Sequence, residues 1–157
     1  MKKYYFAYGS NLDQARLEGR VGKVIKLGIY KVYGWQLVFN AGLSTQVFAN
    51  LVFTGNHINT VEGVIYELST KQIKILDKFE GAPHLYTRMI LDYNRKDLQV
   101  YVSINPFYTQ QAVNNILPSV DYLNHIIKGA TENKIDSVLQ RCLKILPFAP
   151  KNKRAFN

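Results

Sequence analysis

The chain has 157 residues, of which 47% are hydrophobic and 13% aromatic, and its formal net charge is +9. This length and composition exclude a disordered chain and predict a globular domain that buries its core without disulfides or metal. We expect one domain over residues 1–150 and a basic tail over 151–157. Because the sequence shows no signal-peptide pattern and no run of about 20 apolar residues, it predicts neither export nor a membrane helix.

The basic charge is spread along the chain, and its one dense cluster is Lys151, Lys153 and Arg154. A nucleic-acid-contacting arm and a solvated chain end are both compatible with this cluster, and we favour the solvated end. The positive charge also favours encounter with an anionic substrate, because long-range attraction raises association rates.

Cysteine and histidine usage points away from metal and disulfide chemistry. The single cysteine, Cys142, lies in a helical pattern and is interpreted as a small buried hydrophobe, so a reducing, cytoplasmic setting is expected. The three histidines, His57, His84 and His125, show no metal-ligand spacing, and we interpret each as a surface or structurally satisfied residue. No metal site is therefore expected.

The first predicted element is a strand over residues 4–8 that runs into the turn-forming tripeptide Gly9-Ser10-Asn11. Gly9 lets a ligand approach the backbone closely, and Ser10 and Asn11 add hydrogen-bonding groups. Residues 12–18 are predicted to form a short helix with Asn11 as its N-cap. The stretch indicates a binding loop for a small anionic or zwitterionic molecule, and an ordinary strand-to-helix turn is the alternative.

Further strands are predicted where β-branched and aromatic residues alternate with polar ones. They cover residues 21–39, 47–53, 61–68, 86–93 and 98–104. The first of these segments is one long strand or two consecutive strands, bent near Gly28 or Gly34, where glycine permits a bulge or a corner. Loops or turns are predicted at residues 40–44, 94–97 and 106–109.

Helical spacing of apolar residues predicts a helix over residues 70–79, capped by Ser69 and ended by Gly81 and Pro83. Two more helices are predicted in the last third. One opens at Pro118-Ser119 and stops near Gly129 or shortly after it, and the other covers residues 135–146. The sum predicts an α+β fold: a mixed, largely antiparallel β-barrel of about six or seven strands flanked by helices.

Glu80 is the candidate for acid–base chemistry. It follows the apolar residues Leu76 and Phe79 and lies at the carboxyl end of its predicted helix, where the helix dipole disfavours a negative charge. Burial and the dipole both raise the pKa of such a carboxyl group, as a general base near neutral pH requires. An exposed helix-end glutamate without a role is the alternative. The chain contains no GxSxG, Walker, GxGxxG or HExxH motif.

Four ordered segments resemble the γ-glutamylcyclotransferase family of the AIG2-like superfamily. Its signature is similar to residues 5–12, which are Tyr5, Phe6, Ala7, Tyr8, Gly9, Ser10, Asn11 and Leu12. Residues 61–68 resemble its central strand, and residues 76–81, with Tyr86 after them, resemble the segment that bears the catalytic glutamate. Residues 118–130 resemble the helix that supplies a substrate-contacting tyrosine. The resemblance covers about residues 4–135 and is weaker in the last helix and tail, which leaves oligomerisation and acceptor specificity open.

The resemblance implies an enzyme that cyclises a γ-glutamyl amino acid or amine to 5-oxoproline and releases the free amine. It implies that Glu80 acts first as base and then as acid, that residues 5–12 bind the substrate, and that Tyr122 and Tyr86 close the pocket. A buried tyrosine that satisfies its own hydroxyl is the simpler interpretation of Tyr86. Because the substrate's own α-amine is the nucleophile, no cofactor is expected. The expected partner is a small-molecule γ-glutamyl substrate, with no nucleic acid and no membrane, and the protein is expected to be a monomer or homodimer.

Three alternatives stay open. A cyclotransferase specific for a γ-glutamyl amine would use the same core residues and differ on the acceptor side. A non-catalytic binding module of the same fold would keep the pocket, although Glu80 argues against it. A nucleic-acid-binding protein would show salt-dependent affinity for DNA or RNA, but no recognised motif supports it.

Overall fold

The computed structural model describes residues 2–43, 46–92, 95–103 and 116–151, and these residues form seven strands and four α-helices. The strands are β1 Lys2–Ala7, β2 Ile25–Tyr33, β3 Trp35–Leu43, β4 Gln46–Phe53, β5 Thr60–Ser69, β6 Tyr86–Asp92 and β7 Arg95–Ser103. The helices are α1 Gln14–Val21, α2 Thr70–Phe79, α3 Val120–Glu132 and α4 Asp136–Ile145, with short 3₁₀ turns at Ser10–Leu12 and Leu146–Phe148.

Five strands form one open sheet in the order β2-β5-β1-β7-β6, and β3 and β4 form a separate hairpin. The central strand β1 is antiparallel to β5 and parallel to β7. The α+β class and the mixed, largely antiparallel pairing are therefore confirmed. The expected barrel is wrong, because β2 and β6 are the edges of the sheet and no pairing joins them among the described residues. Gly34, at φ 81°, interrupts the strand segment predicted over residues 21–39. After this glycine, β3 pairs with β4 in the separate hairpin.

The boundaries differ from the sequence expectation in three places. The strand predicted from residue 21 begins at Ile25, because α1 continues to Val21, beyond the predicted helix end at residue 18. The loop predicted at 40–44 is wrong for residues 40–43, because β3 continues to Leu43 and pairs with β4. The Asn40 side chain, which suggested a loop, accepts a hydrogen bond from Asn50 Nδ2 at 2.8 Å and is thereby accommodated inside the hairpin. The turn predicted at 94–97 is also too long, because β7 begins at Arg95. Residues 44, 93, 94 and 104, the predicted loop 106–109 and residues 152–157 of the predicted basic tail lie outside the described residues.

The starts predicted for α2 and α3 are confirmed, and the N-cap predicted for α1 is wrong. Helix α2 has the predicted bounds, since Ser69 Oγ accepts from the Gln72 amide and Gln72 accepts from the Ser69 amide. Helix α3 opens after Pro118-Ser119 as predicted, with Ser119 as its N-cap, and Gly81, at φ 63°, follows α2. The N-cap predicted at Asn11 is wrong, because Asp13 caps α1 and the Asn11 side chain is engaged elsewhere.

Helix α3 lies against the 3₁₀ turn that follows β1. Gly129 allows this approach, because a Cβ at that position would strike the backbone between Leu12 and Asp13. The fully buried residues Phe6 and Ala7 anchor the end of β1 in the core, and Cys142 is fully buried as expected. In the part of the chain that the structure describes, no helix is long and apolar enough to cross a membrane.

Candidate active site

A cavity with an empty volume of about 290 Å³ opens where β1 ends. Its walls come from β1 and the following loop, the hairpin strand β4, the end of α2, the start of β6 and the first turn of α3. The lining residues are Tyr5, Tyr8, Gly9, Ser10, Asn11, Ala49, Glu80, Tyr86 and Tyr122. Residues from five distant parts of the sequence therefore meet at one place.

The loop after β1 is shaped by close packing on both sides. A Cβ built on Gly9 would lie 3.0 Å from the Cβ of Ala49 and 3.4 Å from the hydroxyl oxygen of Tyr122. Such distances leave little space for a side chain larger than hydrogen, so glycine brings this backbone next to the cavity. The 3₁₀ turn begins at Ser10, and the first N–H groups of a helical turn have no partner within it. The Leu12 amide donates to the Gly9 carbonyl at 3.0 Å.

Glu80 is held at the carboxyl end of α2 with one carboxylate oxygen engaged. Asn11 Nδ2 donates to Glu80 Oε1 at 3.0 Å, and Arg20 Nη1 donates to the same oxygen at 3.3 Å. The other oxygen, Oε2, takes part in neither contact. The Glu80 side chain is 16% exposed, so the alternative of an exposed helix-end glutamate does not describe it.

Burial raises the pKa of the Glu80 carboxyl group above its ordinary value of 4.5. The Arg20 charge, the hydrogen bond from Asn11 and the Arg16 charge act in the opposite direction and do not cancel the effect of burial. The sequence predicted this direction, and burial is its main cause. A carboxyl group of this kind can exchange protons closer to neutral pH than an exposed glutamate can.

Four tyrosines line the cavity wall, and their hydroxyls are neutral over the physiological range: Tyr5, Tyr8 and Tyr86 are buried, and Tyr122 is partly buried. Burial raises the pKa of each hydroxyl, and for Tyr122 it does so to about 12. Tyr86 donates to the Ala49 carbonyl at 2.7 Å, and Tyr122 accepts from the Ala49 amide at 3.0 Å. Tyr86 therefore satisfies its hydroxyl within the protein while it lines the cavity, in agreement with the simpler interpretation. The Tyr5 oxygen accepts from Asn11 Nδ2 at 2.9 Å.

Most residues singled out in the sequence meet in this cavity. Phe6, Ala7 and Leu12 do not line it, because their side chains are fully buried in the core. Two participants were missed: Ala49, which contributes its backbone, and Arg20, which contacts Glu80 from α1. No local signal could have identified Arg20, since its i, i+4 spacing from Arg16 also occurs on an ordinary solvated helix face.

The described residues include no group of three or more metal-ligating side chains that could hold a metal ion. His57 and His84 are exposed, and His125 Nδ1 lies 3.0 Å from Asp13 Oδ2, away from the cavity residues. The cavity thus combines one carboxyl group of raised pKa with neutral hydroxyls and backbone amides. This set of groups suits general acid–base chemistry on a small polar molecule.

Comparisons with known proteins show the family and the fold of this chain. A family model described as "Gamma-glutamyl cyclotransferase, AIG2-like" matches residues 5–124. Comparison with curated proteins gave no match. A solved γ-glutamyl cyclotransferase is similar at a TM-score of 0.72 and 22% identity, over 100% of this chain and 93% of its own.

Two further solved structures share the fold. YkqA from Bacillus subtilis is similar at a TM-score of 0.73 and 22% identity, over 96% of this chain and 56% of its own. A yeast γ-glutamyl cyclotransferase specific to glutathione is similar at a TM-score of 0.56 and 10% identity, over 91% of this chain and 96% of its own. At these identities the structural matches establish the fold, and the family model covers every cavity residue.

Proposed function

The chain belongs to the AIG2-like γ-glutamyl cyclotransferase family, and we propose that it cyclises a γ-glutamyl amino acid or amine to 5-oxoproline and releases the free amine. Glu80 is the general acid and base of this reaction. The observation that carries the proposal is the buried Glu80 carboxylate, held through Oε1 by Asn11, beside a glycine loop on a small polar cavity. No cofactor is part of the proposed chemistry.

The proposed reaction needs one proton carrier and a folded substrate. Glu80 takes a proton from the substrate's α-ammonium group, and the freed amine attacks the γ-carbonyl carbon to form the ring C–N bond. The carbonyl carries the negative charge of the tetrahedral intermediate. Glu80 then returns its proton to the leaving nitrogen as the carbonyl re-forms and the original γ-amide bond breaks. The second proton of the attacking nitrogen passes to the released amine, which leaves in its ammonium form, so that the ring nitrogen keeps one hydrogen. Holding the glutamyl chain in a ring-like conformation lowers the entropic part of the barrier.

The loop after β1 is the proposed cradle for the oxygens of the glutamyl group. The backbone amides of Ser10 and Asn11, at the start of the 3₁₀ turn, are suited to stabilise a carboxylate or the developing oxyanion, whereas the Leu12 amide is paired with the Gly9 carbonyl. The hydroxyls of Tyr5, Tyr8 and Tyr122 are suited to orient the same group, because they line the cavity and remain neutral.

Two alternatives are kept within this proposal. A γ-glutamyl amine as substrate would use the same cavity, and the acceptor side distinguishes it from a γ-glutamyl amino acid. A binding module without turnover would hold the same ligands. A cytoplasmic setting, a monomeric or homodimeric state and the absence of a nucleic-acid partner stay predictions from the sequence.

The test is release of 5-oxoproline from a panel of γ-glutamyl amino acids, γ-glutamyl amines and glutathione. The Glu80→Gln protein is the matched control, because its amide keeps an Oε1 acceptor for Asn11 and Arg20 but cannot carry the proton. Release that falls by about 10²–10⁴-fold in the variant supports the proposal and identifies the acceptor class. If folded wild-type protein binds these compounds but releases no 5-oxoproline from any of them, the result would favour the binding module.

A further inference from the structure

Arg20 contacts both polar side chains at the acid–base end of the cavity without lining it. Its Nη1 donates to Glu80 Oε1 at 3.3 Å and to Asn11 Oδ1 at 3.2 Å. Its guanidinium carbon lies 5.2 Å from the centre of the Phe79 ring, which is a cation–π distance. The side chain is 18% exposed. One cation is therefore held by three partners behind the cavity wall.

These contacts determine which atoms of Asn11 and Glu80 face which neighbour. Because Asn11 Oδ1 accepts from Arg20, the amide nitrogen Nδ2 faces the Tyr5 hydroxyl and Glu80 Oε1, at 2.9 and 3.0 Å. The opposite amide orientation would place an NH₂ group against the guanidinium. Glu80 Oε1 thus receives two donors, and Oε2 is the oxygen left for a ligand.

We infer that Arg20 is the positioning residue of this site: it fixes the amide of Asn11 and the carboxylate of Glu80, so that Oε2 faces the substrate amine. The inference rests on the proposed function for its kinetic consequences, whereas the Arg20–Glu80 coupling itself is measurable without turnover. Arg20 acts through its two partners and does not touch the reacting atoms.

Arg16 provides a matched control on the same helix. It lies one turn before Arg20, and its charge also lowers the pKa of Glu80. Its side chain makes no hydrogen bond to Glu80 or Asn11 among the described residues, and its Nε is buried without a partner. Arg16→Gln therefore removes a nearby positive charge and leaves both hydrogen bonds of Arg20 in place.

The other ionisable groups that face Glu80 do not titrate in the acidic range. They are tyrosines from β1, the loop after it, β6 and α3, and burial raises the pKa of each: Tyr5, Tyr8, Tyr86 and Tyr122. Among the described residues, the charges that shift the pKa of Glu80 are thus those of Arg16 and Arg20.

The kinetic test measures 5-oxoproline release against pH for wild type, Arg20→Gln, Arg20→Lys and Arg16→Gln. In Arg20→Gln we expect kcat at the pH optimum to fall about 10- to 100-fold with a smaller change in KM, the usual range for a group that orients others. The acidic limb of kcat/KM should move to higher pH, because loss of a cation raises the pKa of Glu80. Arg20→Lys should keep the limb near its wild-type position and still lose kcat. Both contacts of Arg20 come from Nη1, whose two N–H bonds point in directions fixed by the planar guanidinium, whereas an ammonium group rotates freely.

In Arg16→Gln, the acidic limb of kcat/KM should move to higher pH by a smaller amount than in Arg20→Gln. Its kcat at the pH optimum should stay within a few-fold of wild type. An optimum kcat in Arg20→Gln equal to that of wild type would overturn the inference while leaving the proposed function intact. If Arg20→Gln does not fold, as judged by circular dichroism, Arg20→Lys decides: wild-type kcat in that variant overturns the inference.

A second readout separates failure of the inference from failure of the proposed function. The Glu80 side-chain carboxyl is titrated by carbon-13 NMR, with its signal assigned by its absence in Glu80→Gln. We expect a larger rise in the Glu80 pKa in Arg20→Gln than in Arg16→Gln. If the wild-type protein releases no 5-oxoproline, the proposed function fails. An equal Glu80 pKa in wild type and Arg20→Gln would overturn the positioning role of Arg20, whatever the result of the activity assay.

Discussion

Tyr86 and Tyr122 share one backbone partner across the cavity. Tyr86, at the start of β6, donates to the carbonyl of Ala49, and Tyr122, in the first turn of α3, accepts from the amide of the same residue. Ala49 belongs to the hairpin β3–β4, which stands outside the main sheet. A two-stranded hairpin is marginal alone, so these bonds help to hold it as a cavity wall.

Tyr86→Phe and Tyr122→Phe should therefore have different effects. Loss of the Tyr86 hydroxyl leaves the buried Ala49 carbonyl unpaired, and we expect a loss of about 1–3 kcal/mol in the free energy of unfolding. Loss of the Tyr122 hydroxyl also removes a neutral donor from the proposed substrate pocket, so KM should rise in addition. Urea unfolding and steady-state kinetics on both variants measure the two effects. Equal KM changes in the two variants would contradict the distinction.

Gly9→Val should weaken substrate binding, because the added atoms meet the Ala49 methyl and the Tyr122 hydroxyl oxygen. The loop must move away from the cavity wall, and misplacement by about 1 Å can cost about 10²-fold in kcat/KM. Gly19→Val is the matched control, because a Cβ at Gly19 has nothing within 4 Å. Steady-state kinetics on both proteins give the answer. A KM unchanged by Gly9→Val would mean that the loop does not touch the substrate.

The sequence predicted most residues of this site, but it did not predict the contacts between them or that the sheet is open. Glu80, Asn11 and Gly9 were identified because glycine turns and helix-end carboxylates carry local signals. Arg20 was not, since an arginine on a short helix looks like any solvated charge until its partner is known. Asp13 and Asn11 are both good N-caps, and the choice depends on Glu80, which lies 69 residues away from Asn11. Strand alternation likewise does not say whether the edges of a sheet meet, so an open sheet was taken for a barrel.

Asp13 ties α1 to α3, and its replacement should destabilise the fold. Burial tends to raise the pKa of Asp13, but hydrogen bonds from Lys128, His125 and the Arg16 amide outweigh it and lower that pKa below 3.8. A lowered pKa contributes stability above the ordinary pKa, and this stability is lost as pH falls through the folded value. Asp13→Ala should lose at least the roughly 1–2 kcal/mol of an N-cap.

Asp13→Asn separates the cap from the charge. Its side-chain oxygen can still accept from the Arg16 amide, so near neutral pH we expect it to fall between wild type and Asp13→Ala in urea unfolding. The difference from wild type should shrink in strong acid, because Asp13 is then protonated. Wild-type stability of Asp13→Asn at neutral pH would mean that the contacts with Lys128 and His125 contribute nothing measurable.

Glu80→Gln should stabilise the protein near neutral pH even though it removes the proposed acid and base. The folded state raises the pKa of this carboxyl group, so stability linked to Glu80 is fully present below its ordinary pKa of 4.5 and is lost as pH rises through the folded value. Glutamine has nearly the shape of a protonated glutamate and keeps an Oε1 acceptor for Asn11 and Arg20, and it avoids the cost of a buried negative charge.

Urea unfolding of wild type and Glu80→Gln at about pH 8 and about pH 3.5 measures the effect. The variant should be the more stable at the higher pH and similar to wild type at the lower one. A variant that is less stable than wild type at the higher pH would mean that the pairing of Glu80 with Arg20 outweighs burial, and that the Glu80 pKa is lowered in the folded protein.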